Sequence, residues 1–254
     1  MRQQALAALM ENDPAQKIQQ VNALAADGEW SAVVVKRIPI PGRPVQPILV
    51  PPAEVKRRSL STVNGRCILM HAIAHIEFNA INLALDALYR FDMPPTYYQD
   101  WLQVAQDEAR HFQLITAYLA RYNVSYGDYP AHDGLWSMAV ETDHDVLVRM
   151  ALVPRVLEAR GLDVTPGMMD KLTQAGDGDA AKILGTIYRE EITHVSIGTH
   201  WFRYLCQQRR LDHDQTFIQL IQQYFHGRLR GRFNYPARLE AGFTQQELDL
   251  LTAG

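Results

Sequence analysis

The chain has 254 residues and a net charge of −3, with 47% hydrophobic and 21% charged residues. This length allows one large domain or two small ones, and the near-neutral charge excludes a general electrostatic attraction to nucleic acid. No stretch reaches the roughly 18 apolar residues that a membrane span needs, and the N-terminus lacks a signal-peptide core. We therefore predict a cytoplasmic protein without a membrane partner, in which Cys67 and Cys206 are buried thiols.

The N-terminal part predicts a helix over residues 3–26 and then an extended strap. Six of the 13 prolines lie between Pro39 and Pro52. Proline fixes φ and removes a backbone donor, so this segment should run extended over the surface. We interpret it as a strap packed on the protein's own helices. A linear docking motif for a partner is the alternative.

The remainder of the chain predicts an all-α protein, a four-helix bundle followed by a fifth helix and a basic, irregular tail. The predicted helices are 60–91, 95–122, 134–161 and 177–208, with the fifth at 212–226. Pro95 suits a first helical turn, whereas Gly161 and Pro166 should interrupt the chain between the third and fourth helices. The corresponding segments are 1–58 for the helix and strap, 59–208 for the bundle, and 209–254 for the C-terminal part.

An ordered series of glutamates and histidines runs through the four long helices. The first carries Glu77 and the third carries Glu158. The second and fourth each carry a Glu-x-x-His motif, and the members of these motifs are Glu108, His111, Glu191 and His194. Such a series, with one glutamate from each of two helices and Glu-x-x-His from the other two, is the ligand arrangement of di-iron bundle cores.

The environment of these acids strengthens the metal prediction. Apolar residues stand three, four and seven positions from Glu77, Glu108 and Glu191, so these carboxylates project from faces that should be buried. A buried carboxylate must be paired, protonated or bound to metal, and these faces offer few basic residues. Carboxylate oxygen and imidazole nitrogen together suit iron or manganese. We therefore predict a pair of iron ions, with manganese as the alternative.

Other residues of the same types need separate interpretations. Glu141 and His144 form a third Glu-x-x-His match, but Glu141 lies 17 residues before Glu158, or roughly 25 Å along a helix. We interpret that match as a solvated accident. His71 and His75 lie well around the helix from Glu77, so we expect core histidines or neighbours of the ligands. Pro154 should distort the third helix near Glu158.

Four residues beside the motifs are candidates to support the ligands. Metal-bound histidine commonly donates its second N–H to a carboxylate, and Asp107 and Glu190 each precede a ligand. Arg110 could bridge such acids or face solvent. Tyr188 lies one turn from Glu191 and could be a hydrogen-bonding or redox neighbour, or a packed core tyrosine.

At these motifs, residues 60–208 resemble the ferritin-like di-iron carboxylate superfamily. DEARH at 107–111 is similar to the DExRH form of di-iron monooxygenases, and LEARGLD at 157–163 is similar to the bacterial di-iron tRNA hydroxylases. The Pro-rich strap and NYPARLEAGF at 234–243 look more like an uncharacterised bacterial ferritin-like family related to them. The resemblance implies a non-haem di-iron centre that activates dioxygen. The sequence lacks paired CxxC motifs, so electrons would come from a separate reductase.

The function that this resemblance implies is an oxygenase or hydroxylase acting on an organic substrate. The alternatives are a ferroxidase or iron-handling protein, a peroxide-scavenging protein, and an adaptor bundle whose metal is only structural. A tRNA substrate is one option, because basic and aromatic residues interleave in the tail. The arginines concerned are Arg228, Arg230, Arg232 and Arg238. Anchoring of the basic tail on the protein's own helices is the competing interpretation.

Overall fold

A computed structural model describes residues 1–25, 30–55, 59–225, 229 and 231–252. The described residues form α-helices, one 3-10 turn at Pro52–Glu54 and one π-helical segment at Val153–Glu158. An isolated bridge between Leu49 and Ala131 is the β-type pairing found within them. The prediction of an all-α chain is confirmed.

The helices are numbered in chain order. Their ranges are α1 (Arg2–Met10), α2 (Pro14–Ala23), α3 (Val63–Arg90), α4 (Pro95–Ala120), α5 (Gly134–Glu141), α6 (Val146–Leu152), α7 (Ala159–Gln174), α8 (Gly178–Arg209), α9 (His213–Phe225), α10 (Tyr235–Glu240) and α11 (Gln245–Thr252). The first, second, fourth and fifth predicted helices correspond to α3, α4, α8 and α9 with shifts of up to three residues.

The single N-terminal helix predicted over 3–26 is wrong, because the chain breaks between α1 and α2. Pro14 occupies the first turn of α2, and the Asp13 side chain caps that helix by accepting from the backbone N–H of Gln16. A cap of this type satisfies a backbone donor that the helix start leaves open, so two helices replace one.

The predicted third helix is also wrong, since 134–161 contains two α-helices and a π-helical segment. Asp145 caps α6 by accepting from the backbone N–H of Leu147. The expected distortion at Pro154 is confirmed, because the π-helical segment begins at Val153. π-Helical turns of this kind frequently lie at functional sites.

Gly161 and Pro166 do not interrupt the chain as predicted, because α7 runs through both. A proline inside a helix leaves the carbonyl four residues earlier without its helical donor. For Pro166 that carbonyl belongs to Leu162, and the Asn234 side chain donates to it over 3.0 Å. The tail therefore supplies the bond that α7 cannot make.

The prediction of an irregular tail is wrong as well, since α10 and α11 lie within it.

The chain forms two compact units. One comprises residues 1–140 and 171–183, and the other comprises residues 141–170 and 184–254. The predicted division at residues 58 and 208 stays a prediction, as does the ferritin-like bundle topology.

In the first unit, α3 and α4 form a helical hairpin joined by residues 91–94, and α1 packs on α3 while α2 packs on α4. The buried Lys17 ammonium on α2 donates to the carbonyls of Ala8 and Leu9 and to Asn82 Oδ1 on α3. These bonds fix the N-terminal helices on the hairpin. Helix α3 is long and apolar enough to cross a membrane, but its most apolar stretch is mostly buried, as expected of a core helix.

The Pro-rich segment runs without helix up to Pro51, as predicted. It is tied to its own unit by backbone bonds from Gly42 N to Leu9 O and from Val50 N to Ala131 O. Trp136 Nε1 donates to the Pro39 carbonyl. These contacts agree with a strap packed on its own chain.

In the second unit, α9 packs against both α6 and α11. The Arg155 guanidinium lies at its centre and is fully buried. It forms an ion pair of 2.6 Å with Glu247 of α11 and lies 4.0 to 4.6 Å from the ring centres of Phe202, Phe217 and Phe243. The C-terminal helix thus contributes a charged partner to the core of this unit.

Candidate metal centre

The α3–α4 hairpin brings three predicted ligands into direct contact. Nδ1 of His111 lies 3.2 Å from Oε2 of Glu77 and 3.3 Å from Oε2 of Glu108. All three side chains are buried, with exposed fractions of 5% or less. Each residue offers one ligand atom within 4.8 Å of the others, which allows the three to hold one metal ion.

Electrostatics in this cluster favour a bound cation. Burial and the neighbouring Glu108 carboxylate raise the pKa of Glu77 well above its usual range. Burial alone would lower the pKa of His111, but its bonds to Glu108 and Glu77 raise it to about 11. Two carboxylates therefore share one imidazole in a site of low dielectric, where negative charge is expensive. A divalent cation would remove this excess, so the donor set fits a metal.

Two ligands of this cluster are each followed in the chain by an aromatic residue. Phe78 follows Glu77, Phe112 follows His111, and their ring centres are 5.7 Å apart. Tyr126 packs against both rings, at 5.5 and 4.9 Å. The two phenylalanines next to the ligands therefore belong to one aromatic cluster.

Helix α8 carries a second pair of predicted ligands. Nδ1 of the buried His194 lies 3.4 Å from Oε1 of the half-buried Glu191, one helical turn away. Glu158 is the last residue of the π-helical segment and is half-buried. The second unit therefore repeats the Glu-x-x-His contact, as the spacing predicts. The assignment of all six residues to one dinuclear centre stays a prediction.

The candidates beside the motifs have the following contacts. Arg110 donates to Asp107 over 2.8 Å within α4, so it pairs with an acid of its own helix. The Tyr188 hydroxyl accepts from the Asn234 side chain over 3.0 Å and thereby contacts the tail. Glu190 is half-buried. Their support of the metal ligands stays a prediction.

The histidines that we separated from the ligands behave as expected. Nε2 of His71 accepts from the backbone N–H of Gly127 over 2.8 Å, and His75 hydrogen-bonds Tyr126 over 2.9 Å. Burial lowers the pKa of each histidine to about 4. Glu141 is exposed at the end of α5, which stops before His144. That third Glu-x-x-His match therefore does not lie on one helix.

The tail arginines divide into three groups. Arg228 and Arg230 lie outside the described residues, and Arg232 is exposed. Arg238 is only 1% exposed and forms a 2.8 Å ion pair with Asp163 of α7. Arg238 therefore anchors the tail to α7. It is not one of the tail arginines that could contact the phosphates of a nucleic acid.

One further ligand-like group escaped the sequence analysis. Atoms of His213, Asp214 and Glu247 lie within 4.8 Å of one another. Glu247 is already paired with Arg155, and its second oxygen accepts from Thr244 N over 2.9 Å. The positive charge beside this group is therefore the Arg155 guanidinium of the chain itself. No periodic spacing could have indicated it, because α11 follows α9 through a long connection.

Together these features define a helical protein with a buried carboxylate–imidazole cluster suited to metal binding. Residues 10–249 match the family described as "Protein of unknown function (DUF455)", and the chain belongs to that family. It is similar to an uncharacterized protein of Haemophilus influenzae (strain ATCC 51907 / DSM 11121 / KW20 / Rd), with 48% identity over 214 residues. That similarity covers 81% of this chain and 74% of the relative. No solved structure matched the chain.

Proposed function

We propose that the protein is a non-haem di-iron oxidoreductase with a ferritin-like four-helix core, acting as an oxygenase or hydroxylase on an organic substrate. The observation that carries this proposal is the buried contact of Glu77, Glu108 and His111. No lysine or arginine pairs with Glu77 in the part of the chain that the structure describes. A metal is the natural partner for such a group.

The repeated motif supports two metal ions instead of one. Helix α8 presents Glu191 and His194 as α4 presents Glu108 and His111, with the imidazole one turn from the carboxylate in each. In the proposed centre, Glu77 and Glu158 would complete the donor set. Four carboxylates and two imidazoles would neutralise two divalent cations and suit iron, with manganese as the alternative.

A reduced iron pair held there would supply two electrons for splitting dioxygen, with one oxygen atom inserted into the substrate and the other released as water. The chain's own residues would bind the pair and exclude water. Phe78 and Phe112, which adjoin two of the ligands in the chain, pack with Tyr126 into an aromatic cluster. The described cysteines are the separate, buried Cys67 and Cys206, so electrons would come from an external reductase.

The first experiment is to measure the metal content of the protein together with its absorption spectrum. Expression with iron and purification without chelator should give about two irons per chain and oxo-bridged ferric absorption in the near ultraviolet. A folded protein that takes up neither iron nor manganese on reconstitution would overturn the proposal. Oxygen consumption by the reduced protein then tests the redox part.

Iron handling and peroxide scavenging use the same ligand types, so they are separated by behaviour. Ferroxidase activity predicts catalytic turnover of ferrous iron and assembly into a large shell on gel filtration. A peroxide-scavenging protein would oxidise its reduced iron pair faster with peroxide than with dioxygen. Substrate-stimulated oxygen uptake by a small assembly would support the oxygenase over both.

A further inference from the structure

The C-terminal half of α8 forms one wall of an open cavity of about 310 Å³. We call this cavity the α8 pocket. Side chains at successive turns of the helix line it, and the glycine after α10 closes it. The lining residues used below are Ser196, His200, Arg203, Tyr204, Gln207 and Gly242. None of these residues belongs to the proposed metal centre.

The described lining of the α8 pocket is rich in hydrogen-bond donors. No Asp or Glu is among its described lining residues. Arginine, tyrosine, serine and glutamine side chains all donate, whereas a cation site would need several carboxylate or carbonyl oxygens, and Gln207 is the described lining side chain that carries one. The chemistry of the lining therefore selects an anion.

Arg203 is the central observation. Its Nε is buried and makes no hydrogen bond, and the guanidinium forms no ion pair with any described residue. A buried donor on a charged group loses its water without compensation, which is costly. Two other arginines of this unit have carboxylate partners, since Arg209 binds Asp145 at 2.6 Å and Arg238 binds Asp163 at 2.8 Å. Arg203 is thus a guanidinium facing a cavity without its anion.

The surroundings leave one positive charge uncompensated. Burial, and to a smaller extent the charge of Arg203, lower the pKa of Arg155, while Glu247 opposes this. Glu247 is already committed to Arg155 at 2.6 Å. Glu247 is therefore taken by Arg155, and the charge at Arg203 remains available to a ligand.

The backbone of the tail shapes the cavity. Gly242 has φ of 88°, in the left-handed region, and a Cβ there would lie 3.2 Å from Cγ2 of Thr199. A glycine allows this turn to approach α8 closely. The turn therefore closes one side of the pocket without filling it.

We propose that the α8 pocket binds a phosphate group, either inorganic phosphate or the phosphate of a small organic monoester. The planar guanidinium of Arg203 matches phosphate oxygens, and the hydroxyls and amide around it supply further donors. The cavity volume leaves room for an organic group beside the phosphate. This inference does not depend on the proposed metal centre.

Calorimetric titration of the full chain with inorganic phosphate, 5′-AMP and adenosine tests the proposal. We expect one saturable phosphate site per chain. Arg203→Met should weaken phosphate binding by about tenfold or more, because a charge-assisted bond is lost. Arg203→Lys should retain part of the affinity, since lysine keeps the positive charge but lacks the planar set of N–H donors that a guanidinium presents. Arg210→Met is the matched control, because Arg210 is exposed and lies one residue past the end of the same helix.

The comparison of ligands identifies the source of the phosphate. Tighter binding of 5′-AMP than of inorganic phosphate would indicate a monoester ligand, and equal binding would indicate the free anion. Adenosine that binds as well as 5′-AMP would overturn the assignment of an anion site.

Two other results would also overturn the proposal. One is the absence of saturable binding by wild type up to about 10 mM phosphate, a concentration at which even millimolar affinity would be seen. The other is unchanged affinity in Arg203→Met. Should that variant fold poorly, a phosphate-dependent shift of the Arg203 Nε–H resonance in wild type decides. Metal content serves as a check that the variants leave the proposed centre intact.

Discussion

Gly198 of α8 faces Pro154 of the π-helical segment so closely that a Cβ on the glycine would lie 2.3 Å from the proline Cγ. Non-bonded carbon atoms do not approach one another so closely. The proline distorts its own segment, and the glycine provides the space for its ring. The same segment ends at Glu158, so this contact helps to set where that carboxylate lies.

Gly198→Ala should therefore destabilise the protein, although alanine is the better helix former. Overpacking a tight contact costs about 1 to 3 kcal/mol, which exceeds the helix-propensity gain of about 1 kcal/mol. Chemical denaturation should show a lower midpoint without a change in slope.

Gly185→Ala is the matched control on the same helix. Its added Cβ would meet Met169 Cε at 3.5 Å, which is ordinary contact. Here only the propensity difference remains, so stability should rise by roughly 0.5 to 1 kcal/mol. Equal effects of the two substitutions would show that Pro154 yields to the added methyl group.

Glu247→Ala should be one of the most damaging single changes in the second unit. It removes the carboxylate that pairs with the buried Arg155 at 2.6 Å. An uncompensated buried guanidinium typically costs about 3 to 5 kcal/mol. Thermal unfolding measures the loss.

The double variant Arg155→Met, Glu247→Leu tests the cause of that loss. Its apolar side chains should pack against Phe202, Phe217 and Phe243, which now surround the guanidinium. We expect it to recover most of the stability, because apolar replacement of a buried pair is often nearly neutral. A double variant as unstable as Glu247→Ala would indicate that the unpaired charge of Arg155 is not the cause of the lost stability.

Metal content should depend on both Glu-x-x-His motifs. Glu108→Ala and His194→Ala should each remove most of the bound metal, because each would open one side of the proposed dinuclear centre. Glu141 belongs to the third Glu-x-x-His match, whose two residues do not share a helix because α5 ends at Glu141. Glu141→Ala should therefore bind as much metal as wild type does. Unchanged metal content in the first two variants would refute the ligand assignment.

Stability should fall in mild acid because of His71. Burial lowers its pKa to about 4, whereas an unfolded histidine titrates near 6.5. The unfolded chain therefore binds the proton first. Stability is full above pH 6.5 and declines as the pH falls towards 4, by up to about 3 kcal/mol from this group.

Denaturant unfolding at several pH values checks this trend. His71→Gln keeps an acceptor for the backbone N–H of Gly127 but does not titrate, so its stability should depend less on pH. Tyr126 and Tyr129 pack on the same ring and remain uncharged over this range, although Asp128 nearby favours the protonated form. Identical pH profiles for both proteins would exclude His71 as the cause.

Local patterns were sufficient for the long helices and for the contacts within each Glu-x-x-His motif. Apolar residues recur at helical spacing through α3 and α4, and the i, i+3 spacing places Glu108 beside His111 whatever the tertiary structure. These features depend on near neighbours in the chain. The long helices and these contacts can therefore be predicted from the sequence alone.

Features that depend on distant partners could not be predicted in this way. Pro166 signalled a helix end, but Asn234 satisfies the Leu162 carbonyl from 72 residues away. Arg238 looked like a surface cation, but Asp163 lies 75 residues earlier and draws it into the interior. In each case a tertiary contact overrides the local propensity.

The pairing of Arg155 with Glu247 also determines when the second unit can fold during translation. The two residues are separated by 92 positions, and a ribosome adding about 5 to 20 residues per second needs roughly 5 to 20 s to cover that distance. Until Glu247 is synthesised, the Arg155 guanidinium lacks the carboxylate with which it is paired in the folded core. Nascent chains of this protein therefore pass through an interval in which Phe202 and Phe217 are already synthesised but cannot close around the guanidinium.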